Sequence, residues 1–229
     1  MKVVTWNVGS YYFLGYAVRR GTSFHGHKIR DIYFQPELNG EFVSSQLAAF
    51  DADVVVLQEM HSLDDAAFIP ALADYPYKTL VPNIHHEHSV LVASKQPFEI
   101  TTKGDYACIG IGEVTLVPVH LDAHSAQARY ADTKALSIAT AGITPLIIIG
   151  DTNIWSRGKR CVFPADKRAY ATLTRNLTDI TTEFSSTSYF GLAFDKAFIS
   201  SDLVVKHVSC PHVRSYFMDH YPLVVEFTA

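Results

Sequence analysis

Four short runs of aliphatic residues punctuate the chain: KVVTW at 2–6, ADVVVLQ at 52–58, VTLVPVH at 114–120 and PLIIIG at 145–150. Each has the length of a strand and little polar interruption, which predicts buried strands. YKTLV (77–81), SVLVAS (89–94), FDKAFIS (194–200), LVVKHVS (203–209) and PLVVEF (222–227) read as further strands. Several come in adjacent pairs joined by short turns, which favours antiparallel pairing. Between them the pattern turns helical, in NGEFVSSQLAAF (39–50), LDDAAFIPALAD (63–74) and SAQARYADTKALSIATAG (125–142), the last with Ala128, Ala131, Ala135 and Ile138 at helical spacing. Strands intermixed with helices predict an α/β, four-layer sandwich, in which two mainly antiparallel β-sheets lie face to face flanked by helices. No linker-like tract divides residues 1–229, so one domain is expected.

The strands share a peculiarity at their ends. KVVTW runs into Asn7, ADVVVLQ into Glu59, VTLVPV into His120, and PLIIIG into Asp151 and Asn153. Asp195 sits between aromatics in AFDKAFIS, and Asp219 and His220 stand just before the last strand. Each residue alone is an ordinary cap or turn. As a set they are acids, amides and histidines, with no lysine nucleophile, nucleophile elbow or CxxC motif. Hard oxygen donors of this kind suit Mg²⁺ or Mn²⁺ rather than zinc. Histidines beside a spare carboxylate suit water activation at a phosphorus centre.

Composition narrows the setting. With 48% hydrophobic and 18% charged residues among 229, the chain can bury a large core and is not disordered. A formal charge of −4 excludes a protein that coats nucleic acid through bulk positive charge. Cys108, Cys161 and Cys210 are odd in number and widely spaced, against a disulfide framework or a zinc ribbon. No apolar stretch is long enough to span a membrane, and KVVTW starts too early for a signal peptide, so a cytoplasmic protein is expected.

The ordered series TWNVG, LQEM, VHLDAHS, GDTN, FDKAF and MDHYP resembles the endonuclease/exonuclease/phosphatase superfamily, the deoxyribonuclease-I-like fold, across residues 5–222. The resemblance implies the same two-sheet sandwich and a Mg²⁺- or Mn²⁺-dependent phosphoesterase. It implies that Glu59 is the principal metal ligand, with Asn7 beside metal and phosphate and Asp219 a metal or water ligand. It casts Asp151 as the group that accepts a proton from, or aligns, the attacking water, and Asn153 as orienting that water or holding a phosphate oxygen. His220 resembles the histidine that contacts the scissile phosphate, Asp195 the residue that orients it, and His120 a second phosphate donor or acid. Two positions depart from the pattern. Met218 stands where the family usually has Ser, and GDTN replaces GDFN, a reading similar to the tyrosyl-DNA phosphodiesterase branch.

Substrate choice in such a fold belongs to the loops. Tyr11, Tyr12, Phe13 and Tyr16 lie near Arg19 and Arg20, aromatics and arginines that can stack bases and pair phosphates or equally pack on a helix. Arg157 and Lys159 follow Asn153, with Arg160, Lys167 and Arg168 beyond. HHEH at 85–88 lacks a second ligand set and reads as a solvated loop. The expected substrate is nucleic acid; an inositol phosphate, a sphingomyelin-like lipid, or a non-catalytic binding role are the alternatives.

Overall fold

The structure is a computed structural model that describes residues 1–9, 23–24, 27–28, 36–83, 88–213 and 218–229. Two six-stranded sheets dominate it. Across the first, the strands run in the order Val204–Ser209 (β15), Leu223–Thr228 (β16), Lys2–Asn7 (β1), Val54–Met60 (β4), Ser89–Ser94 (β6) and Tyr77–Val81 (β5). Across the second the order is Thr178–Asp179 (β13), Asp195–Ile199 (β14), Leu146–Asp151 (β10), Val114–His120 (β9), Tyr106–Ile111 (β8) and Glu99–Lys103 (β7). Each sheet holds one parallel pair at its centre, β1 with β4 and β9 with β10, and the other pairs are antiparallel. Among the described residues two small hairpins accompany the sheets, Ser23–Phe24 (β2) with His27–Lys28 (β3), and Ser156–Arg157 (β11) with Arg160–Cys161 (β12).

Unbroken aliphatic runs are explained by two-sided burial. Val54 and Val56 of β4 face Ile147 and Ile149 of β10 across the space between the sheets. Their neighbours turn outward: Val55 and Leu57 pack on Val43 and Leu47, and Ile148 packs on Leu136 and Leu173. Val43 and Leu47 come from the helix Pro36–Phe50 (α1), Leu136 from Ala126–Ala139 (α2) and Leu173 from Pro164–Leu173 (α3). Each such side chain taken from water contributes ~1.5–3 kcal/mol before chain entropy is subtracted. The four expected layers are therefore present, with α1 outside the first sheet and α2 and α3 outside the second. Close approach on the α1 side needs Gly40, where a Cβ would stand 1.6 Å from Phe68 O.

Two local expectations fail, and two elements were not expected. Residues 63–74 do not form one helix but two 3₁₀ turns, Asp64–Phe68 and Pro70–Asp74, because Pro70 lacks an N–H and its ring blocks the preceding turn. α2 turns Arg129, Asp132, Thr133 and Leu136 inward, while Ala131 and Ala135 are exposed and Ile138 is 77% exposed. Its apolar spacing named the wrong face, since a buried ion pair decides the orientation. β7, exposed at every residue, and α3, hidden in a basic segment behind Pro164, carried no recognised pattern.

Candidate active site

All four central strands of the parallel pairs point their carboxyl ends to one edge of the sandwich, where Asn7, Glu59, His120 and Asp151 lie. Asp151 is in register with His120 on one side and Asp195 on the other, so three adjacent strands deliver three candidate side chains at one level. Gly150 makes this possible. Its φ is 144°, and a Cβ there would come within 2.1 Å of Val119 O, so no other residue permits the approach of β10 to β9 just before Asp151.

Two side chains are aimed by unusual backbone. β4 bulges between Leu57 and Met60, and within that bulge Glu59 adopts φ 65°. Asn153 follows β10 at φ 49°. Left-handed conformations are uncommon for residues other than glycine and gather at functional sites. The Asn153 turn is closed by its own N–H, which donates to Asp151 Oδ1 at 2.8 Å, and its amide Nδ2 donates to Leu121 O at 2.9 Å.

Asp151 Oδ2 is the point of convergence. Asn7 Nδ2 donates to it at 3.0 Å and to Glu59 Oε1 at 3.0 Å, His220 Nε2 lies 3.6 Å away and His120 Nε2 3.7 Å away. On its other side His220 Nδ1 donates to Asp195 Oδ2 at 2.8 Å, and Asp219 Oδ1 is 3.9 Å from Nε2. Trp6 Nε1 holds His220 O at 3.1 Å, joining the segment before β16 to β1.

The electrostatics follow from burial and neighbours. Burial works against the charge of Asp151, but His220 and His120, with the hydrogen bonds from Asn7 and Asn153, hold it below the usual carboxylate range. Burial also opposes charge on His220, yet Asp195 and Asp151 on either side raise it well above an ordinary histidine. Burial pushes Glu59 up to about 7 against the hydrogen bond from Asn7, and Asp219 adds to the rise. Near neutrality the site thus pairs a carboxylate, Asp151, with an imidazolium, His220.

A cleft of about 570 Å³ opens over these groups. Asn7, Glu59, His120, Asp151, Asn153, Asp219 and His220 line it, and Asp195 lies fully buried behind His220. Of the twelve candidate residues the structure therefore gathers eight. Arg157 and Lys159 are exposed on the β11–β12 hairpin and do not line the cleft, and Arg19 and Arg20 lie outside the described residues. The aromatic motif at 11–16 and most of HHEH do too.

Sequence reasoning passed over two parts of the site. One is Thr187, whose Oγ1 donates to Asp195 Oδ2 at 2.7 Å and accepts from the N–H groups of Phe194 and Asp195 at 3.0 Å each. No spacing signal marks it. The other is a wall of Trp155, Phe190, Leu192 and Phe194, with His124 on the rim. Trp155, Phe194 and His124 stood inside or beside the quoted motifs without a role.

A carboxylate-lined cleft with oxygen donors can accept a hard divalent cation. Asp219 and Asp151 both oppose a charge on Glu59, an opposition that a cation at Glu59 would relieve. Asp151, Asp195 and His220 also place ligand atoms within 4.8 Å of one another. That trio fits a metal less well, because Asp195 and His220 already share a proton along their hydrogen bond.

A family model described as the Endonuclease/Exonuclease/phosphatase family matches residues 4–216. No curated protein matches the chain in sequence. Among solved structures, an AP endonuclease from Archaeoglobus fulgidus superimposes with a TM-score of 0.72 at 15% identity, covering 100% of both chains. TDP2 from D. rerio, complexed with single-strand DNA product, gives 0.68 at 15% identity over 100% of this chain and 99% of that one. A mannosyl-6-phosphatase from Bacteroides thetaiotaomicron gives 0.65 at 16% identity over 100% of both. At such identities the likeness is one of fold.

Proposed function

The chain belongs to the Endonuclease/Exonuclease/phosphatase family, and from that premise we propose that residues 1–229 form one catalytic domain, a divalent-metal-dependent phosphodiester hydrolase that acts on nucleic acid. The observation that carries this reading is the convergence of Asn7, His120 and His220 on Asp151 Oδ2 at the floor of the cleft.

In the proposed reaction a water oxygen forms a bond to phosphorus and a phosphorus–oxygen ester bond breaks. Asp151 Oδ2, ionised and fixed by Asn7, aligns the water and takes its proton. Asn153 orients the same water or a phosphate oxygen. His220, kept cationic between Asp195 and Asp151, donates through Nε2 to the scissile phosphate as negative charge gathers there. Asp195 holds the His220 ring through Nδ1, and His120 donates to a second phosphoryl oxygen or to the departing one. Glu59 with Asn7, and Asp219 across the cleft, would hold Mg²⁺ or Mn²⁺, which supplies Lewis-acid stabilisation of a phosphoryl oxygen. Arg157 and Lys159, exposed on the β11–β12 hairpin, and Arg19 and Arg20 would hold the polyanionic strand outside the reacting centre.

Support for a nucleic-acid substrate comes from the aromatic wall beside the phosphate floor and from the fold shared with a DNA-bound protein. Shared architecture with a sugar phosphatase supports the second reading, a small or lipid phosphate. Free cysteines at 108, 161 and 210 suit a reducing compartment and support action in the cytoplasm. Among the described residues no helix is long and apolar enough to cross a membrane.

The test is hydrolysis of single- and double-stranded DNA, RNA, inositol phosphates and sphingomyelin with Mg²⁺, with Mn²⁺ and with excess chelator. Cleavage of a nucleic acid that stops in chelator is expected. Full activity in chelator overturns the metal assignment, and hydrolysis confined to small phosphates overturns the substrate.

A further inference from the structure

Outside the cleft, one buried ion pair touches two of the loops that border it, those carrying His124 and Trp155. Arg129 on α2 is 1% exposed and Asp166 on α3 fully buried. Arg129 Nε donates to Asp166 Oδ1 at 2.8 Å, Nη2 to Asp166 Oδ2 at 3.1 Å, and Nη1 to Asp122 O at 2.9 Å. Asp166 Oδ2 also accepts from Trp155 N at 3.2 Å. Asp122 follows Leu121 in the loop after β9, where its Oδ1 accepts from the N–H of His124 at 2.8 Å. Trp155 belongs to the loop after β10, two residues beyond Asn153. The front of the same two loops is tied by the Asn153 amide on Leu121 O.

We propose that Arg129 and Asp166 are positioning residues for the cleft, a rear clamp that sets the separation of the loops carrying His124 on one side and Asn153 and Trp155 on the other. The catalytic part of this proposal rests on the phosphoesterase reading above; the mechanical part does not. Stability is a poor reason for such a pair, because two charges removed from water repay little that well-packed apolar side chains of equal volume would not supply. Geometry is a better one. Three guanidinium nitrogens are used in one plane, toward a carboxylate on α3 and a carbonyl of the β9 loop. A lysine could not make this fork, and an apolar pair would leave the Asp122 carbonyl and the Trp155 N–H without their partners. A shift of about 1 Å in a group that contacts the reacting centre can cost ~10²-fold in rate.

The experiment uses the full chain and the double variant Arg129→Met/Asp166→Leu, with Asp166→Asn as a second variant that keeps an acceptor for Trp155 N. Trp6 is fully buried and shielded from acrylamide, so the quenchable tryptophan emission of the native chain reports Trp155 and the Trp6 contact with His220 is left intact. Melting temperature, acrylamide quenching of Trp155, kcat and KM are measured for each. The expected result is a double variant that is folded at the assay temperature though lower in melting temperature, with stronger quenching of Trp155 and kcat/KM lower by ~10-fold or more, beyond what the loss of stability accounts for. Asp166→Asn should fall between it and the parent in quenching. If the folded variants keep native quenching and native kcat/KM, or if activity falls only in proportion to melting temperature, the pair is structural glue and the proposal is overturned. If the double variant does not fold, native quenching in Asp166→Asn overturns it and increased quenching sustains it. Should the parent protein hydrolyse no phosphoester, the quenching arm still decides the clamp while the proposed function fails separately.

Discussion

The two ends of the second sheet each carry a hollow, and they differ in what their polar groups do. At the carboxyl end of β10 is the cleft over Asp151. At its amino end is a hollow of about 300 Å³ lined by Thr140, Thr144, Ser200, Ser201 and Asp202 above Ile143, Leu146 and Leu173. There the hydroxyls are turned to the protein: Ser200 Oγ accepts from Leu146 N at 2.9 Å, Thr140 Oγ1 donates to Leu136 O at 2.9 Å, and Thr144 Oγ1 donates to Asp202. In the cleft, by contrast, carboxylates, amides and imidazoles face one another across space, with pKa values displaced in opposite directions. Enclosure alone does not make a site; polar groups held together without being used up do.

The sharpest way to break this contrast is at Asp151. Asp151→Asn keeps the volume and removes the charge and basicity, and should lower kcat by at least ~10²-fold with the fold and substrate affinity retained. His220→Ala should fall comparably, and the double variant should lose less than the product of both losses. Steady-state kinetics with saturating metal and a melting curve check this, and near-normal kcat in a folded Asp151→Asn would make the cleft no more functional than the opposite hollow.

A smaller effect is expected at Glu59. In metal-free protein its folded pKa of about 7 lies above its ordinary 4.5. Ionising it in place therefore costs stability, a cost absent below pH ~4.5 and fully present above pH ~7, at most on the order of 3 kcal/mol. Glu59→Gln should accordingly raise the melting temperature in chelator at pH 8 and leave it unchanged near pH 4, while weakening the metal dependence of activity. Parallel melting curves at both pH values decide it; a destabilised variant at pH 8 would give Glu59 a structural role.

At the opposite end, Ser200→Ala should cost about 1 kcal/mol for one lost buried hydrogen bond and leave kcat alone. A loss of activity without loss of stability would refute the contrast from the other side. Least of all should Arg157→Gln/Lys159→Gln alter hydrolysis of a minimal aryl phosphodiester. Its signature is a flatter salt dependence of oligonucleotide binding, because fewer counterions are released; equal loss on both substrates would place these residues at the phosphorus centre.

How much of this was legible in the chain depended on whether a signal was local. Two-sided strands announce themselves by unbroken aliphatic runs, so β1, β4, β9 and β10 were read within two residues of their observed bounds. Polar residues closing those runs marked most of the cleft. Invisible were the features decided by distant contacts. β7 packs no apolar face, α2 obeys an ion pair to α3 rather than its own alanines, and Thr187 reaches Asp195 through a turn with no spacing rule. Left-handed backbone at Glu59 and Asn153 was equally silent, since neither residue is glycine.

The pairing of β1 with β16 has a consequence for the birth of the protein. β16 is made long after β1, yet it completes the centre of the first sheet, and His220 stands immediately before it. Until that strand has left the ribosome, Asn7 and Glu59 have no His220 opposite them, and Trp6 lacks the carbonyl that it holds in the finished molecule. Pairings so remote in sequence form late in folding. The cleft of this family hydrolase is therefore assembled only once β16 has been made and paired with β1.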